Sequence, residues 1–186
     1  MTRALLTLSA LVLLGGPALA GCAPTPTPKP SATATTDAPV FASDADALAA
    51  ATEAYAAYLG VTDAVLSAGG GDAAQLAAVA VGDALTAEIN TAGMYAERKY
   101  RSIGSSQFDS VQIQSLDDDG QGSATVTAYL CSDISAVDVV DEAGVSVVPV
   151  DRGARFPLEI TFRNSRAHSS QLLVASSEIW AGTDFC

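Results

Sequence analysis

Apolar side chains between Asp44 and Ser67 recur every three or four residues, which is the spacing of one face of an α-helix. Asp44 belongs to the residue types that cap helix N-termini, and Gly69, Gly70 and Gly71 follow the last apolar position. The sequence therefore predicts a helix from Asp44 to about Ser67 with one buried face. The positions predicted to be buried are Leu48, Ala51, Tyr55, Tyr58, Leu59, Thr62, Val65 and Leu66.

Two further helices are predicted after the glycines. Asp72 can cap a short helix that runs through Ala80. A longer helix from about Asp83 to Arg101 ends in basic residues, which suit the negative end of the helix dipole. Its predicted apolar stripe consists of Leu85, Ile89, Ala92 and Ala96.

Beyond Gly104 apolar and polar positions alternate, which is the period of a strand buried on one face. Strands are predicted at residues 111–114, 124–130 and 155–163. Residues 172–181 are apolar on both faces, and we expect this strand at the centre of a sheet. A short hairpin is predicted from residues 137–140 and 145–148 around a turn at 141–144. Helices followed by antiparallel strands indicate an α+β fold, with the N-terminal helices packed on one face of a curved sheet.

The N-terminal segment has the build of an export signal. Arg3 precedes an apolar stretch at residues 4–14, which is shorter than the roughly 20 residues that a membrane span needs. Leu19, Ala20, Gly21 and Cys22 resemble the lipobox of bacterial lipoproteins at every position. The resemblance implies cleavage after Gly21 and attachment of diacylglycerol, with acyl chains such as palmitate, to Cys22. The alternative is an ordinary signal followed by a chance cysteine.

This interpretation divides the chain into a signal at residues 1–21, a lipidated tether at 22–43 and a domain at 44–186. The tether is rich in Thr and Pro, a composition that cannot bury a core and favours extended conformations. It is either a plain spacer or an O-glycosylated stalk. We expect the protein on the extracytoplasmic face of the cell membrane, held by its lipid, because no later segment is long and apolar enough to span it.

Three cysteines are present, and the lipobox accounts for Cys22. Cys131 and Cys186 remain as a pair in an exported chain, where disulfides form, so we expect them to be bridged. Two free thiols are the alternative. A zinc site is not expected, because only His168 could join them.

The order of elements resembles the NTF2-like (cystatin-like) cone fold, and in particular the small actinobacterial lipoproteins that carry such a domain behind a Thr/Pro stalk. The resemblance covers roughly residues 44–186 and depends on the Ala-rich first helix, on Tyr129, Leu130 and Cys131, and on the closing segment 177–180 with its terminal Cys186. It implies a concavity between helices and sheet. The residues that we expect to line this pocket are Tyr55, Tyr58, Tyr95, Tyr129, Glu178 and Trp180, with core packing as the alternative.

The net charge of the chain limits the binding partners that we expect. The chain carries a net charge of −12, and loss of Arg3 with the signal would make it −13. Such an acidic protein is not expected to bind nucleic acid or anionic lipid head groups. Positive charge is concentrated at Arg152, Arg155, Arg163 and Arg166, which either form a contact patch for an anionic wall polymer or a protein, or pair with neighbouring carboxylates.

No motif for catalysis, metal binding or a cofactor is recognisable. Asp117, Asp118, Asp119 and Gly120 lack the spaced ligands of a calcium loop and predict a hairpin turn. His168, the sole histidine, lies in a polar segment and is expected to be a solvated loop residue rather than a catalytic one. We therefore expect a membrane-anchored binding or interaction module of the cell envelope, more simply explained without enzymatic activity. The alternative is a pocket enzyme or a carrier of small apolar ligands.

Overall fold

The computed structural model describes residues 38–186, which belong to one compact unit. Two helices, α1 at Asp44–Ser67 and α2 at Gly82–Arg98, flank a short 3-10 helix at Ala73–Ala78. The strands that follow are β1 at Arg101–Ile103, β2 at Gln107–Asp118, β3 at Ala124–Asp133, β4 at Asp138–Val140, β5 at Arg155–Asn164 and β6 at Leu172–Ile179. The predicted α+β fold, with N-terminal helices on a curved antiparallel sheet, is confirmed.

The main sheet is antiparallel, with the strand order β2-β3-β5-β6. Alternation along β3 places Val126, Ala128 and Leu130 on the inner face, where they are fully buried. Ile160 and Phe162 of the paired strand β5 lie opposite them on the same face. The helices cover this inner face, and the core consists of aliphatic strand residues packed against the Ala- and Tyr-rich side of α1.

Helix α1 has the predicted bounds, but its N-cap is Ser43 rather than Asp44. The Ser43 hydroxyl accepts a hydrogen bond from the backbone N–H of Asp46 at 3.2 Å. The chain enters the core earlier than the boundary at residue 44 predicted. Phe41 is buried, and the Val40 N–H donates to the Asp118 carboxylate at 2.7 Å. The folded domain therefore includes at least Val40 and Phe41, which the sequence had assigned to the tether.

The middle of the helical region differs in two ways from the prediction. The segment after Asp72 forms a six-residue 3-10 helix, and Asp72 itself adopts a left-handed backbone conformation without a side-chain cap. Helix α2 ends at Arg98, because Lys99 takes the left-handed conformation and the chain continues into β1. Its buried positions are Ala84, Ala92 and Tyr95, whereas Ile89 of the predicted stripe is exposed.

The last strand was predicted at the centre of the sheet and lies at its edge instead. Its second side is covered by the segment before α2. The Val81 N–H donates to the Val174 carbonyl at 2.8 Å, and the Val174 N–H donates to the Val79 carbonyl at 3.0 Å. This short parallel contact takes the place of a neighbouring strand on that side of β6.

A second, two-stranded sheet pairs β1 with β4. The predicted turn at residues 141–144 is present, with the Gly144 N–H donating to the Asp141 carbonyl at 3.0 Å. The returning arm is held by an isolated bridge between Val140 and Ser146 and is not a full strand. The pairing of β4 with the residues directly after α2 was not predicted. Within residues 38–186 no helix is both long and apolar enough to cross a membrane.

Candidate functional site

The residues predicted to line one pocket lie in two separate places. Tyr55 and Tyr58 are buried in the core between α1 and the inner face of the sheet, and Tyr95 is buried on α2. Tyr129, on β3, faces the opposite side of the sheet, where its ring lies 4.8 Å from that of Trp180. Glu178 is exposed and is paired in register with Glu159. These six side chains therefore do not surround a common cavity in the part of the chain that the structure describes.

One of the buried tyrosines, Tyr58, contacts a carboxylate that the sequence did not reveal. The Tyr58 hydroxyl donates a 2.5 Å hydrogen bond to Glu88 Oε1, which joins α1 to α2. Tyr55 packs against Tyr58 with ring centroids 5.7 Å apart, and its other neighbour is Phe108 at 4.9 Å. Glu88 occupies the same helical stripe as Ala84, Ala92 and Tyr95. The sequence signal that could have revealed Glu88 is that it is the single carboxylate in this helical stripe of otherwise less polar residues.

Burial dominates the electrostatics of this cluster. Desolvation raises the pKa of Glu88 above its usual range, and the hydrogen bond from Tyr58 opposes the rise. Desolvation also raises the pKa values of Tyr55 and Tyr58, and the nearby Glu88 carboxylate adds to both rises. Desolvation likewise raises the pKa of Tyr95, against the opposing effect of the Arg152 guanidinium. All three tyrosines therefore remain protonated near neutrality, and the Tyr58 hydroxyl acts as a hydrogen-bond donor to Glu88.

The outer face of the sheet carries the C-terminal tail. Cys131 and Cys186 form a disulfide with Cα atoms 5.6 Å apart, so the predicted bridge is present. Cys131 is fully buried beneath the tail, and the Phe185 ring lies 6.0 Å from that of Tyr129. Arg155 Nε also donates to the Cys186 carbonyl oxygen at 3.3 Å. The last residue is thus tied to β3 covalently and to β5 by a hydrogen bond.

Of the four arginines that were predicted to form a positive patch, two have hydrogen-bond partners in the structure. Arg155 donates two hydrogen bonds to the Asp109 carboxylate, at 2.8 and 2.7 Å. Arg152 donates to the carbonyl oxygens of Ile134 and Val137, at 2.9 and 2.7 Å. Arg163 and Arg166 are exposed, at the other end of β5 and just beyond it. The predicted positive patch is therefore divided between the two ends of this strand.

The two polar motifs are structural. The acidic run at residues 117–120 belongs to the turn between β2 and β3, where Asp119 Oδ1 accepts hydrogen bonds from the backbone of Gln121 and Ser123. His168 is exposed in the loop between β5 and β6, and its backbone N–H donates to the Gly122 carbonyl at 2.7 Å. Among the described residues no group of three or more His, Cys, Asp and Glu side chains could hold a metal ion.

Two open grooves border α1. The first, which we call the tether-side groove, has a volume of about 670 Å³. It runs between the N-terminal half of α1 and the segment leading into β6, and Val40, Phe41 and Ala42 form part of its wall. Alanine and leucine side chains make up much of its lining, with Asp46 and Glu53 as its charged groups. A groove of this size and lining suits a small, largely apolar ligand.

The second groove, of about 540 Å³, lies between the C-terminal half of α1 and residues 104–108. Its charged residue, Asp63, already has hydrogen-bond partners. The two Asp63 carboxylate oxygens accept hydrogen bonds from the backbone N–H and the hydroxyl of Ser106, both at 2.9 Å. Neither groove is lined by Glu88 or Glu178, so neither places these candidate acids beside open space.

Comparison with known proteins does not extend this description. No protein-family model and no curated protein matches the chain. Among solved structures, the fold is similar to the crystal structure of the intermembrane space region of the chloroplast protein ARC6, with 14% identity and a TM-score of 0.49. The similarity covers 71% of this chain and 95% of that chain. A similarity at this level does not bear on function.

Proposed function

We propose that this protein is a lipid-anchored lipoprotein on the extracytoplasmic face of the cell membrane, whose domain is a non-enzymatic binding or interaction module. The observation that carries the proposal is the disulfide between Cys131 and Cys186. Disulfides persist in oxidising compartments outside the cytoplasm. The bridge and the lipobox-like sequence ending at Cys22 therefore support the same location independently.

The interior of the domain supports a binding role over a catalytic one. The space between helices and sheet is filled by core side chains such as Tyr55, Leu130 and Phe162. The Glu88 carboxylate already accepts a hydrogen bond from the Tyr58 hydroxyl, and Glu178 is exposed on the outer face of the sheet. A general acid or base must reach a bound substrate directly or through a water, and neither group borders the two open grooves.

Anchoring is tested on the full chain produced in a bacterial host that processes lipoproteins. The native chain is expected in the detergent phase after detergent partition, with a mass that corresponds to cleavage before Cys22 plus diacylglycerol. The matched Cys22→Ser variant is expected in the aqueous phase. Recovery of both chains in the aqueous phase would refute the lipid anchor.

A carrier of small apolar ligands is the second candidate, and the tether-side groove favours it. Native mass spectrometry of the chain from residue 23 to Cys186, with the disulfide intact, would reveal a dissociable ligand as added mass. Ala57→Trp would fill the groove and should abolish that added mass, whereas Ala87→Trp on exposed α2 surface should leave it unchanged. A bare protein mass under gentle desolvation would exclude a retained ligand.

A further inference from the structure

Two glutamates face each other on the outer side of the main sheet. Glu159 of β5 and Glu178 of β6 are directly opposite in the antiparallel register. Glu159 is half-buried and Glu178 is exposed. Side chains in such a pair have Cβ atoms about 5 Å apart, and like charges at that spacing destabilise a sheet. A positive group that contacts both carboxylates would remove this repulsion.

Neither carboxylate has a salt bridge within residues 38–186. The arginines of β5 on this face are Arg155 and Arg163, each four residues from Glu159 and therefore about 13 Å from it along the strand. Arg155 already donates two hydrogen bonds to Asp109. Arg163 keeps its charge, but its backbone lies farther from Glu159 than the roughly 8 Å screening length of physiological salt. The charge at the centre of the outer face is therefore negative.

Two aromatic rings border the acidic pair. Tyr129 of β3 is the cross-strand neighbour of Glu159 on its other side, so Tyr129, Glu159 and Glu178 form one row across three strands. The Trp180 ring lies 4.8 Å from the Tyr129 ring, and both residues are half-buried. Burial raises the pKa of the Tyr129 hydroxyl, and the adjacent Glu159 carboxylate raises it further. Carboxylates and aromatic rings thus converge on one position.

The C-terminal tail holds the aromatic side of this position in place. The backbone of Gly182 lies against the Trp180 ring, and a Cβ at Gly182 would overlap that ring. The Phe185 ring lies 6.0 Å from the Tyr129 ring, and the disulfide fixes the end of the tail. The two rings are therefore ordered before any ligand binds, which lowers the entropy lost on binding.

These groups suit a guanidinium better than other ions. A guanidinium is planar, donates paired hydrogen bonds to carboxylates and stacks on aromatic rings, whereas an ammonium is compact and more strongly hydrated. A positive group near an aromatic face also gains from the negative charge of that face. An anionic polymer or an anionic bilayer would be repelled by the two carboxylates.

We propose that Tyr129, Glu159, Glu178 and Trp180, which we call the outer-face cluster, bind the guanidinium of an arginine side chain on a partner protein. The guanidinium lies against the aromatic rings and donates hydrogen bonds to the two carboxylates. This proposal deepens the interaction role proposed above and rests on it.

Trp180 is the sole tryptophan of the chain, so its fluorescence reports binding at the outer-face cluster directly. The full chain in a non-ionic detergent is titrated with a capped Gly-Ser-Arg-Ser-Gly peptide, and we expect a saturable change in the emission. A peptide with citrulline, which has the shape of arginine without its charge, should bind at least about tenfold more weakly, and a peptide with lysine should bind with intermediate strength. Equal binding of the arginine and citrulline peptides would overturn the proposal.

Glu178→Gln removes one carboxylate from an exposed position and should weaken binding of the arginine peptide about tenfold. Glu97→Gln, at an exposed position of α2, is the matched control and should leave binding unchanged. Amide chemical shifts in the same titration should change at residues 159–161 and 176–180. Unchanged affinity of Glu178→Gln, or shifts located elsewhere, would overturn the proposal. A change in emission on dilution of the chain without peptide would assign the cluster to a second copy of this chain and would also overturn it.

A photo-crosslinking residue at position 112 of the full chain then tests the partner in the bacterium that produces it. Gln112 is exposed and lies beside Tyr129 in the same row. The expected product joins this position to an arginine-containing segment of another protein. Replacement of that arginine by glutamine, or Glu178→Gln in this chain, should deplete the product. Crosslinks to lipid, or to a segment without arginine, would overturn the proposal.

The mass of the same chain reports the lipid on Cys22 separately. A lipidated chain that does not bind the arginine peptide would contradict the outer-face cluster alone. A chain without lipid that binds the peptide would contradict the proposed anchor alone. The two failures are therefore distinguishable.

Discussion

The Tyr58 hydroxyl and the Glu88 carboxylate form a 2.5 Å hydrogen bond between the two long helices, in which Tyr58 is buried and Glu88 is half-buried. Tyr55, Ser132, Tyr95 and Arg152 are the other polar groups that influence this cluster, from α1, β3, α2 and the loop before β5. Among the described residues, the pair is the side-chain hydrogen bond that joins α1 to α2. Its strength should therefore depend on the protonation of Glu88.

Replacement of Glu88 by glutamine should make the protein less sensitive to pH. Because burial raises the pKa of Glu88, the folded state favours the protonated acid. Its contribution to stability is complete below the unfolded-state pKa, about 4.3, and is lost as the pH rises through the folded-state value. Urea unfolding should thus show Glu88→Gln gaining stability relative to the native chain between pH 4 and pH 7. A Glu88→Gln variant that is less stable than the native chain at pH 7 would contradict this account.

Tyr58→Phe tests the other partner of the same hydrogen bond. The substitution leaves the half-buried Glu88 carboxylate without its donor and should reduce the free energy of unfolding by about 1–3 kcal/mol at neutral pH. In the Glu88→Gln background, Tyr58→Phe should reduce the free energy of unfolding by a smaller amount, because an unpaired neutral amide is less destabilising than an unpaired carboxylate. Urea denaturation of the double-mutant cycle measures this coupling, and strictly additive effects would show that the pair is not energetically linked.

Removal of the disulfide should destabilise the whole domain. The bridge joins residues 55 positions apart, and constraint of such a loop in the unfolded chain contributes on the order of 4 kcal/mol. Cys186→Ser should lower the free energy of unfolding by about 2–4 kcal/mol, measured with urea. Hydrogen exchange should at the same time report loss of protection in the tail, whereas Asp184→Ala, which removes a local hydrogen bond to Cys186 and an exposed charge near Arg155, should have a small effect.

Asp109 should remain ionised at unusually low pH. Its hydrogen bonds with Arg155 and Ser110 lower its pKa to about 2. The stabilisation linked to this ionisation is present above the unfolded-state pKa, about 3.9, and is lost as the pH falls toward 2. Carboxyl carbon shifts followed by NMR should show this titration, and Arg155→Met should raise the pKa of Asp109 toward its ordinary range. Arg163→Met, on the same face near the other end of β5, is the matched control and should leave Asp109 unchanged.

Substitution of two glycines by alanine should change the stability of the protein in opposite directions. Gly70 has a φ of +83°, and a Cβ at this position would overlap the backbone carbonyl oxygen of Ala92 in α2. Gly70→Ala should therefore cost about 2 kcal/mol or more. Gly93 lies within α2 with no neighbouring atom in the way, and Gly93→Ala should stabilise the protein by about 0.5–1 kcal/mol. Thermal unfolding of the two variants measures both effects, and similar changes in Tm would contradict the difference in packing.

Local patterns were sufficient for several features. The 3.6-residue period located α1 between Asp44 and Ser67, and the alternation of residues 155–163 located β5, because each period reflects one buried face of its own element. The pairing of Cys131 with Cys186 followed from the residues left once Cys22 was assigned to the lipobox. The predicted burial of Tyr55 and Tyr58 on α1 is also confirmed.

The candidate site could be predicted from the sequence only in part. Tyr55, Tyr58 and Tyr95 were expected to share a pocket with Tyr129 and Trp180, but the sheet separates the two groups. Strand alternation predicts that Tyr129 and Leu130 face opposite sides, yet it does not say which side the helices cover. The contact of Tyr58 with Glu88, 30 positions away, depends on how α1 and α2 pack.

The sequence by itself thus determined the segments of α1, β3, β5 and β6, the α+β class and the disulfide, all of which depend on nearby residues or on residue types. Only the tertiary structure decided that β6 lies at the sheet edge against Val79 and Val81, that β1 pairs with β4, and that half-buried Glu88 lies beside Tyr58. The physical reason is that a side chain's periodicity reports whether it is buried, whereas its partner is chosen by contacts between elements distant in the chain.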